Sequence, residues 1–133
     1  MDHERLKSIP LFAGLSPTEL EALGRNTDEV DVREGETLAE EGDFGHEFFA
    51  IEDGTAEVRH GEELLAELGP GDFFGEQGLS GDAQRNASVV ATSPMVAIVM
   101  TRSAFHQMRR EHPAVCDRIE ESVRERGRQI AQR

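Results

Sequence analysis

The start of the chain combines apolar positions at helical spacing with a strong signal for a helix start. In the segment LSPTEL, Ser16 can cap a helix, Pro17 suits its first position, and Glu19 completes an S-x-x-E capping box. Gly24 follows the apolar positions and is the expected stop of this helix. We therefore expect short helices within residues 1–29.

Between residues 30 and 100 the pattern changes to short apolar runs separated by turn residues. The Asp-Gly pair at residues 53–54 is the strongest short hairpin signal in this region. Further along, we expect Leu64, Ala66 and Leu68 to share one face of a strand. Short strands with regularly spaced turns indicate a sandwich or a barrel.

The end of the chain, residues 101–133, returns to helical spacing. Thr101 or Ser103 can cap a first helix, and Pro113 can start a second one. An apolar stripe at helical spacing follows, made of Val115, Ile119, Val123 and Ile130. The whole pattern predicts one domain over residues 1–133 that is mainly β with flanking helices.

The composition narrows the range of partners. The chain has 133 residues and a net charge of −13, so it lacks the excess of bases that nucleic acids and anionic membranes attract. Its single cysteine, Cys116, cannot form an internal disulfide, which fits a reducing compartment. The charged start MDHERLK is no secretory signal. We therefore expect a cytoplasmic protein.

Candidate chemistry is concentrated in residues 74–91, FGEQGLSGDAQRNASVVA. Gly75 lets the backbone approach a ligand closely, and a helical turn from Glu76 would present free N–H groups to an anion. Arg85, nine residues after Glu76, can fork onto a phosphate, whereas the carboxylate of Glu76 would accept from a hydroxyl. An anion site beside a hydroxyl acceptor indicates a sugar phosphate as the ligand.

Residues 74–91 resemble the phosphate-binding cassette of cyclic nucleotide-binding domains, and the interval of nine between glutamate and arginine matches without a gap. The segments PLFAGLSPTELEAL, FFAIEDGTAEV and GPGDFFGE resemble the family's N-terminal helical motif, central hairpin and approach to the cassette. The resemblance implies an antiparallel β-roll, similar to a jelly-roll barrel, over residues 30–100. It also implies N-terminal helices over residues 1–29 and hinge or lid helices over residues 101–133.

The resemblance also implies roles for individual residues of the cassette. Glu76 would accept from the ribose 2′-hydroxyl, and Arg85 would hold the cyclic phosphate. The Gly75 backbone would support the sugar contact, the amides of Gly78 and Asn86 would support the phosphate contact, and the small Ala87 would let the phosphate close in. Phe74 would anchor the segment. The full set of implied ligand-binding residues is Phe74, Gly75, Glu76, Gln77, Gly78, Leu79, Arg85, Asn86, Ala87 and Val89.

Two positions depart from the family pattern. Gln84 replaces the proline that precedes the arginine, which removes a fixed φ from the loop. Gln77 replaces an apolar residue. Neither change removes a primary contact of the implied site.

By this resemblance the chain is a cyclic-nucleotide sensor without catalysis, cofactor or metal. The family's frequencies favour cAMP over cGMP, and an effector outside this chain would read the movement of the C-terminal helix. A homodimer through that helix is left open, as is a degenerate domain that serves only as a structural module. A cupin-like metal enzyme is a further alternative, although His46 lacks a partner histidine two residues on, where Phe48 stands.

Overall fold

The structure is a computed structural model that describes residues 3–42, 44–75, 83–85 and 87–131. Helical elements come first: α1 (His3–Lys7), a 3-10 turn (Pro10–Phe12) and α2 (Pro17–Arg25). The strands follow: β1 (Asp28–Val32), β2 (Thr37–Ala39), β3 (Phe44–Gly45), β4 (Glu47–Asp53), β5 (Ala56–His60), β6 (Glu63–Leu68), β7 (Phe73–Phe74), β8 (Ala83–Gln84), β9 (Ser88–Ala91) and β10 (Met95–Thr101). The last elements are α3 (Arg102–Glu111) and α4 (Pro113–Ala131).

The described strands form antiparallel sheets that roll around an apolar interior. One sheet has the order β1-β10-β4-β7, a second has the order β2-β9-β5-β6, and β3 pairs with β8. The predicted class, mainly β with flanking helices in an antiparallel roll, is therefore confirmed. Among the described strands, the sheets stay separate and do not close into one continuous barrel.

Strand β4 separates two apolar cores because its alternating side chains are buried on both faces. Phe48 and Ala50 pack with the helices, whereas Phe49 and Ile51 point into the interior of the roll. Period-two alternation requires this division, since successive side chains of a strand leave on opposite faces. The sheet thus carries the helical layer on one side and the candidate site region on the other.

The predicted capping box of α2 is present. The amide of Glu19 donates to Ser16 Oγ at 3.2 Å, and the amide of Ser16 donates back to Glu19 Oε1 at 2.9 Å. The predicted stop at Gly24 is wrong, because α2 continues to Arg25 and Gly24 is buried inside its last turn. Asn26 ends the helix instead, with a side-chain amide that donates to the carbonyl of Ala22 at 2.8 Å.

The Asp-Gly pair after β4 does not form the hairpin that the sequence predicts. Strand β4 pairs with β10 and β7, whereas β5 pairs with β6 and β9, so this turn is a corner between two sheets. Gly54 has φ +94°, and a Cβ there would overlap the carbonyl oxygen of Pro94. The glycine therefore predicts the tight turn correctly, but contacts with other strands determine how β4 and β5 pair.

Strands β5 and β6 form a true hairpin through the turn at Gly61, with His60 paired to Glu63. The register shifts between Val58 and Arg59, so one residue of β6 is skipped in the pairing. The predicted common face of Leu64, Ala66 and Leu68 is therefore wrong for Leu64. Leu68 is 5% exposed, whereas Leu64 and Leu65 are 43% and 52% exposed.

The C-terminal helices cover the helical core. Thr101 is the cap of α3, and its Oγ1 accepts from the amide of Ala104 at 3.1 Å. In α4, Val115 and Ile119 are buried and Val123 packs against the same core. The side chain of Ile130, the last member of the predicted stripe, lies outside the described residues. None of the described helices has the length and apolar character needed to cross a membrane.

Candidate ligand-binding site

Arg85 directly follows β8, and its side chain lies against the backbone of neighbouring segments. Its Nη2 donates to the carbonyl oxygen of Glu47, at the start of β4, at 2.9 Å. A Cβ on Gly45 would overlap Nε and Cζ of the guanidinium, and a Cβ on Gly75 would lie 2.8 Å from Nη1. The lack of a Cβ at Gly45 and at Gly75 therefore leaves the space that this side chain occupies, as expected where a backbone must approach another group closely.

The backbone of Arg85 is fixed as well as its side chain. Strands β3 and β8 pair Phe44 with Gln84 and Gly45 with Ala83, directly before the arginine. The carbonyl of Arg85 then accepts from the amide of Gly42 at 2.8 Å. The backbone before Arg85 and the carbonyl of Arg85 itself are both hydrogen-bonded to the segment before β4. These contacts restrict the orientation from which the Arg85 side chain leaves the backbone.

Contacts with the described residues leave most of the N–H donors of Arg85 unused. An arginine has five N–H donors in a planar fork, and the carbonyl of Glu47 takes one of them. Within the described ranges no carboxylate forms an ion pair with Arg85. In a chain of net charge −13, this partly buried guanidinium is a group that can pair with an anion.

The structure also describes four other residues of the predicted set, Phe74, Gly75, Ala87 and Val89. Phe74 is buried and stacks on Phe49, with 4.8 Å between ring centroids, which anchors the chain just before Gly75. Val89 lies in the same apolar core, and Ala87 is half-buried at the bend before β9. The structure thus brings Gly75 against Arg85 and places Phe74 and Val89 in the apolar core of the roll.

Half of the predicted site falls on residues that the structure does not describe. The acceptor for the sugar hydroxyl, the turn after it and the residue after the arginine all belong to this group, so their roles stay predictions. These residues are Glu76, Gln77, Gly78, Leu79 and Asn86.

Three contributors to the site were missed from the sequence. Gly45 makes room for the guanidinium, Glu47 supplies a backbone carbonyl, and Gly42 binds the backbone of Arg85. A glycine inside a strand pattern is a signal for close approach, so Gly45 could have been found. Backbone acceptors and donors leave no such signal, because every residue type supplies them.

The described residues offer little to a metal ion. Among them there is no cluster of three or more His, Cys, Asp or Glu side chains that could bind a metal ion. His46, the candidate ligand of the cupin alternative, has its Nδ1 2.7 Å from Nη2 of Arg102. This contact places a guanidinium beside the imidazole, which disfavours a metal cation at the same ring.

The comparisons with known proteins identify the family to which the chain is similar. The family model for the cyclic nucleotide-binding domain matches residues 29–112. A cAMP-dependent protein kinase regulatory subunit of Hypocrea atroviridis is 35% identical over 77% of the chain, and a cGMP-dependent protein kinase of Eimeria tenella is 34% identical over 77%. The matched parts are 22% and 10% of those two proteins, so the chain spans only a fraction of the curated relatives' length.

The fold comparison gives the same result. The crystal structure of the catabolite activator protein of Thermus thermophilus superposes with a TM-score of 0.76 at 27% sequence identity. The match covers 90% of this chain and 59% of that one.

Proposed function

Because the chain belongs to the family of cyclic nucleotide-binding domains, we propose that it binds a cyclic nucleotide in the cassette at residues 74–91. The observation that carries the proposal is the position of Arg85 between two glycine faces, with donors left for an anion. Its guanidinium binds the cyclic phosphate through parallel hydrogen bonds. The ligand supplies the negative charge that this cation lacks among the described residues.

The proposed sugar and phosphate contacts extend beyond Arg85. Glu76 accepts from the ribose hydroxyl, and the amides of Gly78 and Asn86 add donors to the phosphate, as in the family pattern. Leu79 and Val89 line the sugar side. No cofactor is required for this binding. We favour cAMP as the ligand, supported by the kinase regulatory subunit at 35% identity, while the similar cGMP-dependent kinase keeps cGMP as the second candidate.

The proposed output is regulatory and not catalytic. Helix α4 is fixed to α2 by Arg118 and Glu19, whose Nη1 and Oε1 are 3.2 Å apart, and to α3 by Arg109 and Asp117 at 3.3 Å. A ligand that favours one position of this helix shifts the population toward it, and an effector outside the chain reads the shift. The expected cytoplasmic location fits this role.

A homodimer through α4 would need a face other than the predicted stripe. Val115 and Ile119 are 2% and 1% exposed because they pack against the protein's own helical core. A dimer seam on these side chains would have to expose that core first. We therefore propose the stripe as the docking face of the regulatory helix.

A titration with nucleotides tests the proposed function. Thermal shift with cAMP, cGMP and 5′-AMP compares the two candidate ligands with an acyclic control. We expect stabilisation by cAMP of about 3 kcal/mol at a hundredfold excess over its Kd, and little effect of 5′-AMP. No stabilisation by either cyclic nucleotide at millimolar concentration would favour the structural-module alternative, and stoichiometric metal in the purified protein would favour the cupin alternative.

A further inference from the structure

Glu41 connects the tip of the β5–β6 hairpin to the region of Arg85. Its Oε1 accepts from the amide of Gly61 at 3.0 Å, and its Oε2 is 3.4 Å from Nε2 of His60. Its own amide donates to Oγ of Ser88, at the start of β9, at 2.9 Å. One exposed residue therefore contacts two separate parts of the second sheet.

The next residue extends the connection to the candidate site. The amide of Gly42 donates to the carbonyl of Arg85 at 2.8 Å, and Gly42 has φ +94°. A positive φ is favoured by glycine, which allows the chain to turn tightly at this position. The contacts of the neighbouring residues then determine the direction of this turn. Glu41 supplies two such anchors, through its carboxylate and through its amide.

We propose that Glu41 is a positioning residue for the anion site, a role that rests on the proposed function. Its carboxylate fastens the turn at Gly42 to the hairpin tip, and the turn in turn fixes the carbonyl of Arg85. When the carboxylate is removed, the turn loses its anchor at Gly61 and Arg85 samples more orientations. Part of the binding free energy is then used to order the arginine side chain, so the ligand binds more weakly.

The direction of the change in ligand affinity distinguishes a positioning role of Glu41 from a purely electrostatic one. Glu41 is an acid near a proposed anion site, so its removal would strengthen binding if only its charge mattered. Positioning predicts the opposite. Glu40 is the matched control, since it is an exposed glutamate one position away and its substitution changes the net charge equally.

The experiment measures the Kd for cAMP by calorimetry for the wild type and for Glu41→Ala, Glu41→Gln and Glu40→Ala. We expect Glu41→Ala to weaken binding by about three- to tenfold, since a hydrogen bond to a charged acceptor is lost. Glu41→Gln keeps an oxygen that accepts from Gly61, so it should restore most of the affinity. Glu40→Ala should bind as tightly as the wild type or slightly more tightly. Equal or tighter binding by Glu41→Ala would overturn the proposal.

A second readout is independent of the ligand. If the wild type binds no cyclic nucleotide, the proposed function fails, but amide hydrogen exchange still tests the positioning. We expect the Gly42 amide to exchange several-fold faster in Glu41→Ala than in the wild type, because its turn has lost an anchor. The amide of Ile51, which donates to the carbonyl of Asp72 at 2.9 Å, is the internal control. Unchanged exchange at Gly42 would overturn the positioning role.

Discussion

Arg85 is fixed by backbone groups, and no acid pairs with it among the residues that the structure describes. The carbonyl of Glu47 orients the guanidinium without neutralising its charge, because a carbonyl carries no formal charge. Gly45 and Gly75 leave the space that the guanidinium occupies. An acidic protein can in this way keep one cation available for an anionic ligand.

A methyl group at Gly45 should weaken ligand binding without a direct contact to the ligand. Gly45→Ala places a Cβ where Nε and Cζ of Arg85 now lie, so the guanidinium must move. We expect about a tenfold weaker Kd for cAMP, measured by calorimetry, since the phosphate contact is charge-assisted. Gly14→Ala is the control, because a Cβ there meets no atom within 4 Å. Equal affinity of the two variants would show that this orientation of Arg85 is not needed.

Cys116 gives the stability of the protein a dependence on alkaline pH. The thiol is fully buried, and this burial raises its pKa from an ordinary 9.0 to about 11. The unfolded chain therefore loses this proton first, so the free energy of unfolding should fall as the pH rises from about 9 to about 11. The chain has no tyrosine, whose phenol would otherwise lose its proton in the same pH window.

Urea denaturation near pH 8 and near pH 11 measures this effect. We expect a smaller drop between the two pH values for Cys116→Ala than for the wild type, although the variant starts from a lower stability. Every ionisable group other than this thiol is present in both proteins, so its contribution cancels in the comparison. Equal drops would exclude a raised pKa for Cys116.

Among the secondary-structure elements, α3 and α4 are packed against each other, and Arg109 adds several polar contacts to this packing. Arg109 pairs with Asp117 and Glu120, and its guanidinium lies 5.2 Å from the centroid of the Phe105 ring. Each contact is small by itself, since exposed ion pairs contribute about 0–1 kcal/mol. The two ion pairs run from α3 to α4, so they stabilise the contact between the helix that leaves the roll and the helix that we propose as the regulatory element.

Arg109→Ala should lower the free energy of unfolding by about 1 kcal/mol, from lost ion pairs and a lost cation–π contact. Arg110→Ala is the matched control, because it is an exposed arginine on the same helix. Urea denaturation of both variants measures the difference, which should shrink at high salt because exposed ion pairs are screened. Two variants of equal stability would mean that Arg109 does not join the helices.

Local elements could be predicted from the sequence because their causes are local. The capping box of Ser16 and Glu19 and the cap at Thr101 depend on a few neighbouring residues, and both are present. The corner at Gly54 could not be predicted, because strand pairing depends on distant partners. Leu64 was placed on the wrong face because a single-residue bulge reverses the alternation.

The candidate site shows the same division. The isolated arginine and Gly75 could be selected from the sequence, since residue type and spacing carry their chemistry. The carbonyl of Glu47 and the amide of Gly42 could not, because a backbone group has no signature in the sequence. The family resemblance supplied the expected ligand, which the residues alone left at the level of a sugar phosphate.

The sheet that contains β4 lies between the site region and the helical layer and contacts both of them. Its two faces are buried in different cores, so a displacement at one face is opposed by packing at the other. Glu47 starts this strand and accepts from Arg85, and Arg102 at the start of α3 donates its amide to the carbonyl of His46 at 2.7 Å. A short path of backbone contacts therefore runs from the arginine to the C-terminal helices.

We propose that Arg85 binds the phosphate of a cyclic nucleotide, and calorimetry of Arg85→Ala is the decisive test of this role. Arg33→Ala is the matched control, since Arg33 has a side chain that is 93% exposed and its loss changes the net charge equally. We expect the wild type and Arg33→Ala to bind cAMP alike. Losing one partner of a desolvated charge pair costs about 2–5 kcal/mol, so Arg85→Ala should bind roughly 30-fold more weakly or worse. Equal affinity of Arg85→Ala and the wild type would contradict the assignment of the site.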